Sequence, residues 1–258
     1  MTDQAALVEP GPELRAEERI RYARQLALPE IGAIGQRRLR RARVLVVGAG
    51  GLGSPVLTAL AGAGVGTIGI VDDDVVDVGN LHRQTIHAGS APGTAKTASV
   101  GAAIRELNPL VQVEEIPQRL TAENAAALLD GYDIVVDGAD TFATHAAVTA
   151  AAERRGIPVV WGSALGMDGQ VTIFEPYARG GVGLGDLYPS LPADQPGGAC
   201  QVVGILGPVC GAVGAVMAAE TIKLIVGVGR SLRGRMLILD ALDQTWREVE
   251  IRPQSARE

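Results

Sequence analysis

The stretch RVLVVGAGGLGS, residues 43–54, decides the fold. After Arg43, residues 44–47 are an apolar run rich in valine, the mark of a strand covered on both faces. A glycine-rich turn follows, and then the helical pattern of residues 54–63. Gly48, Gly50 and Gly53 have the spacing G-x-G-x-x-G between strand and helix. Glycines at these places permit a tight turn and let backbone approach a phosphate closely, while the helix N-terminus supplies N–H groups and the positive end of a dipole. Asp72 ends the next apolar strand, TIGIVD, at the distance expected of a carboxylate that holds a ribose.

Outward from this unit, strands and helices alternate. VQVEEI, DIVVD and IPVVWGS read as strands, and residues 95–107, 123–129 and 142–155 as helices. Upstream, residues 13–28 and the basic GQRRLRRAR at 35–43 read as helices. The alternation stops after residue 165. DGQVTIFEP reads as a strand of another kind, antiparallel in character; YARGGVGLGDLYPSLPADQPGGAC, residues 177–200, as a long Gly/Pro-rich loop; then come a Gly/Ala-rich buried helix and a final hairpin, RMLILDALDQTWREVEI. The expected class is α/β: a doubly wound, mostly parallel sheet extended by antiparallel C-terminal strands. Residues 1–13, with Pro10-Gly11-Pro12, are expected as a loose tail, and residues 14–258 as one domain.

Composition sets limits. The chain has 258 residues, 47% of them hydrophobic and only 3% aromatic, so the core rests on Val, Ile, Leu and Ala. A formal charge of -6 gives no basic footprint for nucleic acid. Two cysteines, Cys200 and Cys210, cannot form a disulfide framework or a four-cysteine zinc site. The N-terminus has no basic start followed by an apolar run, which predicts a cytoplasmic protein. Cys210, in the apolar run LGPVCGAVGAV, reads as core.

Charge near the glycine turn narrows the ligand. A dinucleotide site needs little positive charge beyond its glycine loop, whereas a nucleoside triphosphate calls for cations and usually Mg²⁺. Arg83 and Lys96 follow the ribose acid closely, and Asp140 follows the strand DIVVD, where a carboxylate holds Mg²⁺ or caps a helix. Their joint occurrence favours a triphosphate.

RYARQ, GAGGLGS, DDDVVDVGNLHRQT, GTAK, LNP and DGADTFAT occur here in the order seen in the E1-like activating enzymes of the MoeB/ThiF family, which the chain resembles over residues 20–252. DLYPSLPADQPGGAC is similar to the crossover segment of the MoeB/MoeZ-type branch. The resemblance implies a Rossmann-like fold and an adenylyltransferase that uses ATP and Mg²⁺. The C-terminal carboxylate of a small ubiquitin-like sulfur carrier, β-grasp in fold and ending in Gly-Gly, attacks the α-phosphate and becomes an acyl-adenylate on the way to a thiocarboxylate. The implied nucleotide site comprises Gly48, Gly50, Gly51, Gly53, Asp72, Asp74, Asn80, Arg83, Gln84, Lys96, Asp140 and Thr141. Catalysis is assigned to Arg83, Lys96 and Asp140, with Asp140 as the Mg²⁺ ligand, and to Arg24, reaching across a homodimer from the partner subunit. Cys200 stands where the family has a loop cysteine of a sulfur relay, or merely ends a loop.

Departures from the family pattern accompany these matches. Gly183 and Asp186 replace the first Cys-x-x-Cys pair and the tail IRPQSARE lacks the second, so no structural zinc is expected. No rhodanese domain follows, so the sulfur donor is expected to be a separate protein. Thr141, His145 and Thr149 stand where the family has Asn, Arg and Asn, and Val202 where an acid is usual. At its reference pKa, His145 would be mostly neutral at pH 7. These changes keep open the same chemistry on a peptide or small molecule. The glycine motif and Asp72 alone also fit an NAD-dependent oxidoreductase, and a non-enzymatic binding module remains a further class.

Overall fold

The computed structural model describes residues 5–192, 194 and 203–253. Three N-terminal helices, α1 (Ala16–Arg21), α2 (Ala23–Leu26) and α3 (Gly32–Arg41), precede β1 (Arg43–Val47). There follow α4 (Gly53–Ala63), β2 (Thr67–Val71), α5 (Lys96–Leu107), β3 (Gln112–Ile116), α6 (Ala125–Leu128), β4 (Ile134–Asp137), α7 (Phe142–Arg155), β5 (Val159–Leu165) and β6 (Asp168–Phe174). The described elements end with α8 (Leu184–Leu187), α9 (Gly207–Val226), β7 (Arg235–Asp240) and β8 (Thr245–Glu250).

One eight-stranded sheet has the order β3-β2-β1-β4-β5-β6-β7-β8. The first five strands in that order are parallel and the last three antiparallel, as expected. β1, β2 and β4 are apolar along their length, apart from Arg43, Thr67 and Asp137 at their ends, because helices cover both faces. One face carries Val44, Val46, Ile68 and Ile70 against α4, α5 and α9; the other carries Leu45, Val135 and Trp161 against α6 and α7. Strand order reverses between β1 and β4, and the carboxyl ends of strands at such a switch point open into a crevice.

Local signals explain several boundaries. α7 begins at Thr141, whose Oγ1 accepts from the Thr144 N–H at 3.3 Å, and stops at Gly156 with φ 66°. The helix expected over residues 13–28 is interrupted at Tyr22, a buried ring that lies on Gly64 and whose hydroxyl accepts from Asn108 Nδ2 at 2.9 Å. The Gly/Ala-rich α9 has the length and hydropathy of a membrane span, yet it runs through the core against α3, α4, β5 and β6. Its small residues permit that approach: a Cβ on Gly214 would lie 2.9 Å from the Leu52 carbonyl oxygen.

Two segments differ from expectation. Residues 5–13 are not a loose tail. Leu7 N–H donates to the Leu224 carbonyl at 3.0 Å, Val8 is buried, and Gly11 N–H donates to Arg37 at 3.2 Å. Backbone bonds to two helices outweigh the turn-forming residues of this stretch. The expected loop at 177–200 contains α8, anchored by buried Val182 and Leu184 and capped by Asp186, which accepts from the Gly183 N–H at 2.8 Å.

Candidate active site

A cleft of about 610 Å³ lies at the switch point. Gly48, Gly50 and Gly51 after β1, Asp72 and Asp74 after β2, Arg83 and Gln84 from the next loop, Lys96 at the start of α5, and Asp140 after β4 all line it. Nine of the predicted residues thus share one wall or floor. Gly48 adopts φ 90°, and a Cβ there would also meet the Gly138 carbonyl oxygen at 2.9 Å. Gly53 does not line the cleft. It lets α4 start directly beneath the Gly48 carbonyl, into which any Cβ would collide.

The loop between β2 and α5 is tied at its neck. Val76 N–H donates to Thr94, Gly93 N–H to Val76, and Lys96 N–H to Asp74, at 2.8, 2.8 and 2.9 Å. That closure brings Lys96 back beside Asp72. Lys96 Nζ donates to Asp74 Oδ2 at 2.7 Å and lies 4.0 Å from Asp72 Oδ1. Asp72 accepts from the Ala49 N–H at 2.8 Å and from the Asp74 N–H at 2.9 Å. Burial raises the Asp72 carboxyl above its ordinary pKa against the opposing pull of Lys96 and these amides.

Arg83 is steered by Asn80, whose Oδ1 accepts from Nη2 at 3.0 Å. Asn80 itself does not line the cleft, so it orients the cation rather than forming a wall. Gln84 is buried, and its Oε1 has no hydrogen-bond partner among the described residues. A buried acceptor of this kind at a cleft wall suits a ligand or water that donates to it. Thr141 also stays out of the cleft: its hydroxyl is spent on the start of α7, including a 2.8 Å bond to Thr144 Oγ1. Arg24 is exposed on α2 and does not line this cleft. Cys200 and Val202 lie outside the described residues.

The structure adds residues that the sequence reading missed. Asp137 ends β4 with no solvent exposure, accepting from the Ala139 N–H at 3.1 Å and lying 2.8 Å from His145 Nδ1. Burial opposes a charge on His145, but the Asp137 carboxylate, with Asp140 and Asp194 beyond it, raises the imidazole pKa above the ordinary value. The expectation from the reference pKa is therefore corrected in direction. An acid closing an otherwise apolar strand was the available signal. Around His145 stand Phe142 and Trp161, with ring centroids at 5.9 and 5.6 Å, and Tyr188 lies 5.1 Å from Phe142. Half of a sparse aromatic complement, both Phe residues with Trp161 and Tyr188, is gathered at this end of the fold. Asp194 caps α7 from outside, accepting from the Phe142 N–H at 2.6 Å and the Ala143 N–H at 3.1 Å.

Cys210 is buried as expected, but it also lines the cleft. A Cβ on Gly51 would lie 2.8 Å from its Sγ, so thiol and glycine turn are in close apposition. Among the described residues no cluster of three or more His, Cys, Asp or Glu is arranged as a metal centre.

A glycine turn, a ribose-type acid and two cations at a switch point define a nucleotide-binding α/β domain. The chain belongs to the ThiF family, which matches residues 22–258. It is 47% identical over 253 residues to the probable adenylyltransferase/sulfurtransferase MoeZ of Mycobacterium tuberculosis (strain ATCC 25618 / H37Rv), covering 97% of this chain and 64% of that protein. It therefore spans just under two thirds of that relative. It is 44% identical over 239 residues to a sulfur carrier protein adenylyltransferase of Thermus thermophilus, covering 92% of this chain and 88% of the relative. Among solved structures, E. coli MccB with ATP superposes with a TM-score of 0.78 at 20% identity, covering 92% of this chain and 73% of that one. PaaA superposes with the same TM-score at 22% identity, covering 94% and 76%. These two likenesses establish the fold.

Proposed function

We propose that this protein is an ATP-dependent adenylyltransferase that activates the C-terminal carboxylate of a ubiquitin-like sulfur carrier. One observation carries the reading: Arg83 and Lys96 converge with Asp72 on a single glycine turn. Two cations exceed what a dinucleotide pyrophosphate needs at a helix N-terminus and match the charge of a triphosphate. The names of the relatives add the carrier. A carboxylate oxygen attacks the α-phosphorus, the bond from that phosphorus to the bridging oxygen breaks, and pyrophosphate leaves with the electron pair. The product is an acyl-adenylate.

Within this scheme Asp72 accepts from the ribose, Gly50 and Gly51 offer backbone to the phosphates, and Arg83 and Lys96 balance charge as it shifts toward the leaving group. No side chain is a covalent nucleophile; orientation and electrostatics carry the step. Asp140, an exposed carboxylate on the cleft wall, fits a hard cation, since Mg²⁺ takes one or two carboxylates together with substrate phosphates. Asp140 would hold that ion, whose chemistry is to neutralise phosphate charge.

The composite dimer site is part of the same proposal, with Arg24 of the partner subunit completing the cleft. Its support is a distance argument. Gln25 Nε2 donates to the Ala63 carbonyl at 3.0 Å, which ties α2 to the far end of α4. The 11 residues of α4 put about 16 Å between that end and the glycine turn, beyond the reach of an arginine side chain. A sulfur donor would convert the adenylate to a thiocarboxylate.

The test is ATP–pyrophosphate exchange in the presence and absence of a β-grasp carrier ending in Gly-Gly. Exchange that depends on the carrier supports the proposal. Exchange with a peptide or small molecule alone moves the substrate, and no exchange with any of them, alongside tight nicotinamide binding, overturns it.

A further inference from the structure

His87 lies behind the glycine turn rather than in the cleft, buried in the loop that also bears Arg83 and Gln84. Its Nε2 is 3.1 Å from the Ala49 carbonyl oxygen and its Nδ1 is 3.0 Å from Ser99 Oγ. A carbonyl only accepts, so Nε2 carries the proton. Burial, with the nearby charge of Lys96, lowers the His87 pKa and favours the neutral ring, which leaves Nδ1 to accept from the Ser99 hydroxyl. The tautomer is thus fixed by its two partners.

Ala49 is thereby held on both sides, its N–H by Asp72 Oδ2 at 2.8 Å and its carbonyl by His87. The peptide unit between Ala49 and Gly50 is planar and trans, so the Gly50 N–H points opposite to the Ala49 carbonyl. The carbonyl faces His87, behind the turn; the N–H faces the cleft that Gly50 lines. It has no acceptor among the described residues. Glycine on either side of this residue leaves the peptide free to rotate unless something holds it. Ser99 lies one turn beyond Lys96 on α5, so the same imidazole joins the glycine turn to the helix that carries a catalytic cation.

We propose that His87 is a positioning residue: its Nε2–H holds the Ala49 carbonyl away from the cleft, and so aims the Gly50 N–H at the nucleotide phosphates. This rests on the nucleotide reading above. It assigns to His87 no contact with the substrate.

Side-chain geometry supplies the test. The amide nitrogen of glutamine stands as many bonds from Cβ as Nε2 of histidine, whereas that of asparagine stands where Nδ1 would be. His87→Gln therefore keeps the bond to Ala49, His87→Asn loses it while staying polar, and His87→Leu loses both bonds. Affinity for a non-hydrolysable ATP analogue, KM for ATP and kcat should be measured on all three. His87→Asn and His87→Leu are expected to weaken nucleotide binding roughly five- to tenfold, the worth of about one hydrogen bond, with a smaller change in kcat. His87→Gln should stay within about twofold of the parent.

Amide hydrogen exchange at residues 48–53 of the nucleotide-free protein is the second readout, independent of any ligand. Exchange should quicken in the Asn and Leu variants and match the parent in the Gln variant, with β2 unchanged throughout. Parent-like affinity and parent-like exchange in all three variants would overturn the positioning role, as would equal losses in all three. A parent protein that fails to bind the analogue overturns the nucleotide reading instead, and the exchange series still decides whether His87 holds the turn.

Discussion

Replacing His145 by leucine probes the electrostatics of the site directly. Asp137 has no solvent exposure, and among the described residues its carboxylate meets the Ala139 N–H and His145 Nδ1. Leucine fills most of the space but leaves the carboxylate with one amide. Removing one member of a buried ion pair typically costs about 3–5 kcal/mol, because the other charge stays buried without compensation. With a urea slope of about 2–3 kcal/mol per M, the unfolding midpoint at pH 7 should fall by roughly 1–2.5 M. Trp161, whose ring centroid is 5.6 Å from that of His145, is a buried fluorescence reporter for the transition. The sign of the pH dependence is also fixed. The folded-state pKa of His145 is raised, so its stabilisation is fully present below the unfolded value of about 6.5 and is lost as pH rises through the folded value. The leucine variant lacks that window. Converting both residues to leucine should recover most of the loss, since an apolar pair replaces an ion pair at little cost. A double variant no more stable than His145→Leu, or a single variant within about 0.5 kcal/mol of the parent, would refute the reasoning.

Gly53→Ala should abolish nucleotide binding and lower stability, because the added methyl collides with the Gly48 carbonyl oxygen; calorimetry on the soluble variant checks both effects. Asp140→Asn should preserve the fold and lose Mg²⁺-dependent pyrophosphate exchange, since an amide is a poorer ligand for a hard cation, and exchange at the parent rate would reduce Asp140 to an exposed loop residue. Arg24→Ala and Lys96→Ala proteins should each be nearly inactive, yet regain up to about a quarter of parent activity when mixed under subunit exchange, because half the dimers carry one intact composite site.

Much of this fold can be read without coordinates because its deciding signals are local. β1, β2 and β4 are apolar runs too short for helices, and Gly48 to Gly53 mark the turn between the first strand and its helix. The predicted residues that line the cleft follow β1, β2 and β4 in the chain, where an open parallel sheet places its crevice. What escapes a sequence reading depends on pairs brought together by packing. The upward shift of the His145 pKa comes from Asp137 across a strand-to-helix turn, against the effect of burial, and nothing at either position alone announces it. Cys210 reads as core, correctly, but that this core borders the glycine turn depends on how closely α9 approaches α4. His87 has no local pattern at all, since its two partners lie on β1's following turn and on α5. Residues 5–13 look loose because Pro and Gly outnumber their few apolar anchors, yet two backbone bonds hold them to α9 and α3.

The two borders of the sheet bear on how copies of this chain can meet. Among the described residues β3 pairs only with β2 and carries Glu114 and Glu115; β8 pairs only with β7, is exposed along its length, and bears Trp246, Arg247, Glu248, Val249 and Glu250. An unpaired strand is a template for another chain, and charged side chains along it are the usual guard against that pairing. Glu114 and Glu115 are held by Arg43 and Arg105 at 2.8 and 2.6 Å, so a strand laid against β3 would meet a row of ion pairs rather than a bare apolar edge. Growth of the sheet from copy to copy is thereby discouraged at that border. What this border leaves for contact between copies is β8 and the helical and loop faces, the N-terminal helix that carries Arg24 among them.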